Sequence, residues 1–580
     1  MFKKLYLFTC MVLISLQLAA QQKLNLVTNG KSTYHIVIPE NATTIEQEAA
    51  TLLQQYVEKI SGFKLTIDAN LSATASAQII IGRNKFISEK EIAGLGSDGI
   101  VIRKINNSIF LSGGPRKGVL YSVYSFIETY LGCRMYTSNV TYIPKLKTIT
   151  LPATINKKQL PSFVFRMTYF EGSFKNNFCD FHKMNQWLED WGLWVHSFEK
   201  LVPAKKYFDT YPEYFSLVNG KRSTQQLCLT NNTVLALVIN NLRQMMAANP
   251  GAKYWSVSQN DNVDFCTCEN CKKADAAEGS QQGSLLTFVN KVAAQFPDKI
   301  ITTLAYQYSE TPPAIIWPLS NVMIMLCTAN QERRVPVNKQ VTATFNSNFK
   351  KWTAISNHVF IWNYLVQFSN AVSPFPNLYT IQPDIQYFAA NRASYLFDQG
   401  IGDMPGEFSD LRCYLVAHLM WNKNINIQST MQDFIKGYYG KTGAVYINQY
   451  IQLINKHATA HPVPLRSGGS PVEARNSYLS PDHIATYKNI FNKALIATAG
   501  TEYQNRILQE YLPVLFAELE IKKTQFSELK KMGRFNTTQY TELLEAFYAK
   551  TKQANIIYLN ELRSTTADYY TNYLNAINAQ

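Results

Sequence analysis

The chain has 580 residues, 46% hydrophobic and 17% charged, which supports several packed domains and excludes a disordered chain. Its formal net charge is +15, but the basic residues are scattered, which argues for a solvated, mildly basic surface and against nucleic-acid binding. Beyond the N-terminus no stretch is long and apolar enough to cross a bilayer, so no integral membrane span is expected.

Residues 1–20 begin with Lys3 and Lys4, continue as an apolar run and end in Leu18-Ala19-Ala20. That order of charge, apolar segment and small residues predicts a signal peptide cleaved after Ala20. It predicts an exported protein, periplasmic or extracellular, in which disulfides are permitted.

Residues 21–155 predict a small α/β domain. KLNLV and YHIVI are strand-like. Thr43-x-x-Glu46 is a capping box opening a helix whose apolar residues run from Ile45 to Ile60, with Gly62 as its stop. AQIIIG and GIVIRKINNSIFLSG add strands, two of them a hairpin through Asn106-Asn107, and a second helix follows Pro115.

Residues 156–425 alternate apolar runs with helical patterns. Eight runs, at 163–170, 191–198, 226–231, 254–258, 300–308, 321–328, 358–364 and 394–400, fit a (β/α)₈ TIM-like barrel. No strand is followed by a glycine-rich phosphate loop and no His-Glu-x-x-His is present, so no cofactor is called for. Residues 426–580 carry apolar residues at helical spacing and predict a helical domain, with Ser467-Gly468-Gly469-Ser470-Pro471 as a connector. The predicted fold class is therefore α/β, a (β/α)₈ barrel preceded by a small α/β sandwich domain and followed by helices.

Barrel enzymes place their chemistry at the C-terminal ends of the strands. The predicted ends carry His196, then Gln259, Asn260 and Asp261, then Tyr306 and Tyr308, then Trp362, Asn363 and Tyr364, then Asp398, with Glu407 shortly after. Trp255 lies in the fourth run. This set is aromatic and polar but poor in Lys and Arg, as a sugar site requires: rings stack on the apolar face of a pyranose, and amides, imidazole and carboxylates hold its hydroxyls. Asp261, Asn260, Asp398 and Glu407 are the candidate catalytic residues; His196, Trp255, Gln259, Tyr306, Tyr308, Trp362, Asn363 and Tyr364 are the candidate substrate-binding residues.

GPRKGVLYSVYSFIETYLGCRMY (114–136) resembles the closing motif of the small α/β domain that precedes the barrel in family 20 hexosaminidases and family 67 α-glucuronidases. WVHSF, YPEYF, QLCLTN, SQNDN, CTCENC, LAYQY, PFPNL and EFSDLRCYL resemble the barrel of family 163 endo-β-N-acetylglucosaminidases. The resemblance implies a glycoside hydrolase that cleaves β-linked N-acetylglucosamine with help from the substrate's own acetamido group. Asn260 would orient that group and Asp261 would act as the acid, where family 20 uses an Asp-Glu pair. Two other readings stand beside it. An α-glucuronidase-like hydrolase would need a cationic clamp for the uronate, with Arg166, Arg333, Arg334 and Arg412 as candidates. A non-catalytic barrel would bind glycans without cutting them.

Cys266-x-Cys268-x-x-Cys271 places three thiols in one loop. A disulfide with a spare thiol is one reading. A structural zinc is another, with Cys228 as fourth ligand if the loop folds back.

Overall fold

The computed structural model describes residues 23–69, 77–340 and 344–579. The leader pattern at 1–20 lies outside the described residues. The chain divides into two compact units: one runs to Val164 and includes Asp180–Lys183, and the other comprises Phe165–Cys179 and the chain from Met184 onward.

The first unit is built on a six-stranded sheet of β1 (His35–Val37), β2 (Ile67–Asp68), β3 (Gln78–Ile81), β4 (Ile100–Ile105), β5 (Ser108–Gly113) and β6 (Asn156–Gln159), in the order β6-β4-β5-β3-β1-β2. Helix α1 (Thr44–Ser61) starts at the expected capping box: Glu46 N–H donates to Thr43 Oγ1 at 3.3 Å, and Thr43 N–H donates to Glu46 Oε2 at 2.8 Å. It stops at Gly62, whose φ of 79° suits a residue without a Cβ. The β4–β5 hairpin turns at Asn106 with Ile105 opposite Ser108. Helix α2 (Gly118–Tyr130) begins so close to the end of β5 that a Cβ on Gly113 would lie 2.2 Å from the Gly118 carbonyl carbon.

The second unit holds a seven-stranded, wholly parallel sheet of β7 (Phe165–Phe170), β8 (Trp191–Leu193), β11 (Tyr254–Ser256), β12 (Ile300–Ala305), β13 (Val322–Cys327), β14 (His358–Tyr364) and β15 (Tyr395–Gly402). Their order is β7-β15-β14-β13-β12-β11-β8, and no ladder among the described residues joins β7 to β8. The sheet curls into a half-barrel. Its concave face packs Phe165, Met167, Trp191, Tyr254, Met325 and Phe360 into one apolar core. The other face is buried too, with Ile324, Ile361 and Leu396 fully inaccessible. Burial on both faces explains why VMIMLC reads as a continuous apolar run.

One of the eight expected barrel strands falls elsewhere. QLCLTN (226–231) begins as the end of β10 (Lys221–Leu227), which pairs antiparallel with β9 (Phe215–Val218). Asn219 and Gly220, with φ of 49° and 77°, form the two-residue turn. An Asn-Gly pair between strand-like runs is a strong hairpin signal. It holds these residues in a local hairpin outside the parallel sheet.

Helices α3 (Asn232–Ala248), α4 (Glu269–Glu278), α5 (Gln282–Ala293), α6 (Thr344–Ile355), α7 (Ile381–Ala390) and α8 (Ser409–Trp421) alternate with the strands. The helices α9 (Ile427–Ala460), α10 (Pro481–Ala497), α11 (Tyr503–Lys523), α12 (Thr537–Gln553) and α13 (Thr566–Asn578) follow. Within the expected helical region 426–580, the apolar periodic stretch 540–574 is two helices, because α12 ends before Asn555 at φ 55° and Thr565 caps α13 by accepting from Asp568 N–H at 3.0 Å. The segment 554–565 between them docks on the loop after β14: Ala371 N–H donates to Leu559 O at 2.9 Å and Glu561 N–H to Phe368 O at 3.0 Å. No helix among the described residues is long and apolar enough to cross a membrane.

Candidate active site

At the C-terminal ends of the parallel strands the inward-facing side chains form an aromatic wall. Tyr169 lies 4.6 Å from Trp187, Trp187 6.0 Å from Trp194, and Trp194 5.4 Å from Trp362, measured between ring centroids. Trp362 donates its indole N–H to Gln399 Oε1 at 2.6 Å and is followed by Tyr364 at 6.4 Å. These rings are partly exposed apart from Trp362, so their faces are available to a ligand.

Polar groups also lie at these strand ends. His196 sits at φ 55°, where its N–H reaches Ser258 Oγ at 3.1 Å and its Nδ1 meets the Gln259 carbonyl at 2.8 Å. A carbonyl only accepts, so Nδ1 carries the hydrogen and Nε2 of the neutral ring is an acceptor. The His196 ring is 6.3 Å from that of Tyr306. Burial, and then the charge of Asp261, push the Tyr306 hydroxyl up to about 12. Gln307 turns at φ 53° and donates Nε2 to Asp261 Oδ1 at 3.5 Å, leaving its own Oε1 without a protein partner. Asp261 is exposed.

The second carboxyl of this mouth comes from the far end of the chain. Partial burial and the charge of Asp261 raise the pKa of Glu561 from its ordinary value, although the residue reaches solvent. Sequence reasoning missed Glu561 because the run around it reads as helix. The signal was Thr565, an N-cap residue that accepts from Asp568 N–H and so opens a new helix after a break just upstream.

The remaining expected residues are distributed by strand alternation. Phe397 and Trp362 face the concave core, so Asp398 and Asn363 face outward. Thr328 Oγ1 donates to Asn363 Oδ1 and Asn363 Nδ2 to Asp398 Oδ1, each at 2.8 Å. Asp398 is fully buried and its Oδ2 has no partner; burial pushes it up to about 7, against the Asn363 bond and the Arg333 charge. Arg333 is buried, donates Nη2 to the Thr328 carbonyl, and lies 5.7 Å from the Tyr364 ring centroid. Its Nε and Nη1 have no partner, and burial lowers it to about 10.

Other residues are committed to structure. The Asn260 amide accepts from Glu199 N–H at 3.2 Å and donates to the Gln225 carbonyl at 2.8 Å, so it braces the loop instead of facing a ligand. Gln259 is buried and donates to Ser309 Oγ at 2.6 Å. Trp255 is on the outward face, against Gly192, where a Cβ would meet its ring at 2.3 Å; it is core and not a sugar platform. Tyr306 and Tyr308 do not share a face, because the strand ends at Ala305 and a 3₁₀ turn follows; Tyr308 packs on Phe265 at 5.1 Å. Glu407 is buried among Arg412, Phe375 N–H and Tyr450. Cys266, Cys268 and Cys271 meet Cys228 beside the β9–β10 hairpin.

Beyond β7 and β15, Glu171, Asp403, Asp410 and Glu510 line a cavity of about 420 Å³. Glu510 accepts from Phe408 N–H and the Tyr439 hydroxyl, both at 2.8 Å, yet burial pushes it up to about 8. A carboxyl whose folded pKa is raised binds its proton more tightly in the folded state, so the stability it lends is full below its unfolded pKa and lost as pH rises through the folded one. With Asp384 and Asp398 both at about 7, stability is expected to fall between pH 5 and about 8. Urea midpoints measured across that range should show the slope, and Glu510→Gln should flatten its upper part.

The model of a family described as a domain of unknown function (DUF4838) matches residues 135–452, more than half of the chain. The chain belongs to this family. No curated protein matches it. Among solved structures, the DUF4838 chain is similar to a family GH115 4-O-methyl-α-glucuronidase with specificity for decorated arabinogalactans, with a TM-score of 0.56 and 13% identity over 96% of this chain and 80% of that one. A GH138 enzyme targeting pectin rhamnogalacturonan II has a TM-score of 0.44 and 11% identity over 93% and 78% of the two chains. The family GH20 chitobiase of Flavobacterium johnsoniae has 0.46 and 13% over 96% and 97%. At 13% identity the first likeness is one of fold: the mixed α/β architecture of this DUF4838 member is shared with a glycoside hydrolase.

Proposed function

We propose that the protein is an exported glycoside hydrolase whose reaction takes place at the mouth of the half-barrel, with Asp261 and Glu561 as its carboxyl pair. The observation that carries this reading is the docking of Glu561 on Phe368, whose ring lies 5.6 Å from that of Tyr364 in the aromatic wall, within electrostatic range of Asp261. Glycoside hydrolysis uses two carboxyl groups in unlike states, one protonating the leaving oxygen and one acting as base or nucleophile. Glu561 suits the first role and Asp261 the second. The rings of Trp194 and Tyr364 offer stacking faces, and His196 Nε2 is an acceptor for a sugar hydroxyl. Export rests on the leader pattern at 1–20.

For the substrate, a glycan bearing uronic acid is favoured. Arg333 is a buried cation behind the Tyr364 ring with two unpartnered donor atoms, and it serves as the clamp for a uronate once that ring turns aside. Cleavage at N-acetylglucosamine was expected to use Asn260 to orient the acetamide, and that amide is committed to Glu199 and Gln225.

The test is to assay the chain lacking residues 1–20 on uronic-acid-decorated polysaccharides, on the same polymers after carboxyl reduction, and on N-acetylglucosamine-bearing glycans. Cleavage of the first set alone is expected, with Arg333→Met raising KM by about 10–100-fold, the worth of hydrogen bonds to a charged group. Cleavage of acetamido glycans with no effect of Arg333→Met would restore the hexosaminidase reading. Binding without cleavage of any substrate would make the barrel a glycan-binding module.

A further inference from the structure

The mouth does not use the four cysteines beside it. Cys228 follows β10, while Cys266, Cys268 and Cys271 lie in the loop that opens α4. Residues 38 apart in sequence thus bring their Sγ atoms together, all four within 4.8 Å of one another. Cys228 Sγ and Cys268 Sγ are 3.7 Å apart. A tetrahedral Cys₄ site with metal–sulfur distances of about 2.3 Å requires sulfur–sulfur edges of about 3.8 Å. Disulfides would instead split the set into bonded pairs with no need for a shared centre, and none of the eight described cysteines is in one.

The surroundings suit thiolates. Leu217 N–H donates to Cys266 Sγ at 3.3 Å, and the Thr230 hydroxyl is 3.2 Å from Cys271 Sγ. Cys268 is the N-cap of α4, a ten-residue helix whose N-terminal dipole favours negative charge. Thr267 ties the loop to the hairpin, its N–H and its hydroxyl both donating to the Leu217 carbonyl at 2.8 and 2.6 Å. The apolar cluster here consists of the cysteines themselves and Leu217, so little else packs this hairpin against the loop.

We propose that Cys228, Cys266, Cys268 and Cys271 bind one structural zinc ion that joins the β9–β10 hairpin to the loop after β11. The site has four protein ligands and no open position, so it acts by bracing and not by activating water. The braced loop is the one that carries Asp261. Gln226 of β10 holds the Asn260 backbone, accepting from its N–H at 3.1 Å and donating to its carbonyl at 2.8 Å. The ion therefore positions the segment that delivers Asp261, independently of which glycan is cut.

Elemental analysis of the chain lacking residues 1–20, purified with its thiols protected from oxidation, is expected to give one zinc per chain. Exchange with Co²⁺ should produce the visible d–d and near-ultraviolet charge-transfer bands of a tetrahedral thiolate site, a readout on the unmutated protein that does not depend on a variant folding. Cys268→Ser, at the half-exposed corner of the cluster, should release zinc to a chelator at least tenfold faster. Peptide mapping that finds a disulfide among the four, iron in place of zinc, or protein without stoichiometric metal would overturn the proposal.

Discussion

Asp261→Asn is expected to lower kcat on the cleaved glycan by about 10²–10⁴-fold, the usual contribution of a positioned acid or base. Asp261 is exposed, and its side chain meets only Gln307, at 3.5 Å, and the Tyr306 hydroxyl, both of which an amide can also hydrogen-bond, so Asn should replace the carboxylate without disturbing the fold. The same change removes a charge that raises Tyr306 and Glu561. The Glu561 pKa should therefore fall toward its ordinary value, and the residual activity of Asp261→Asn should lose its alkaline limb at lower pH than the wild type does. Glu561→Gln should remove that limb altogether. Full activity in Asp261→Asn, with an unchanged pH profile, would remove Asp261 from the reaction.

Glu407→Ala is expected to cost about 3–5 kcal/mol of stability, the range for breaking a buried ion pair by deleting one partner. Glu407 Oε2 accepts from Phe375 N–H at 2.8 Å and from Arg412 Nη2 at 3.2 Å, and Oε1 accepts from the Tyr450 hydroxyl at 3.0 Å. Both members of the pair are nearly inaccessible, Glu407 at 3% and Arg412 at 1%, so water does not replace what is lost. Arg412 keeps Asn377 and the Phe375 carbonyl, but its charge is left without a counter-ion. The urea midpoint should drop with little change in slope, while kcat per folded molecule stays within about twofold. A variant with wild-type stability and abolished turnover would return Glu407 to the reaction.

Much of the local structure is legible because its causes lie within a few residues. The capping box at Thr43 and Glu46, the Asn106 turn and the apolar strand runs act at short range, and each appears where its pattern stands. Two misreadings have the same origin. The Asn219-Gly220 turn makes 226–231 part of a hairpin, and the Thr565 cap breaks a run that reads as one helix. Both are short-range signals outweighed by the longer periodic patterns around them.

The sequence by itself determined the alternation of elements, the polar strand ends and the cysteine-bearing loop, because periodicity and turn chemistry are local properties of the chain. Tertiary structure alone decided which side chains meet. Side-chain parity turned Asp398, Asn363 and Trp255 away from the concave face and kept Trp362 and Tyr364 on it. Docking of 554–565 on the loop after β14 brought Glu561 into the electrostatic range of Asp261, about 300 residues earlier. Such convergence depends on strand order and loop packing, which no window of neighbouring residues encodes.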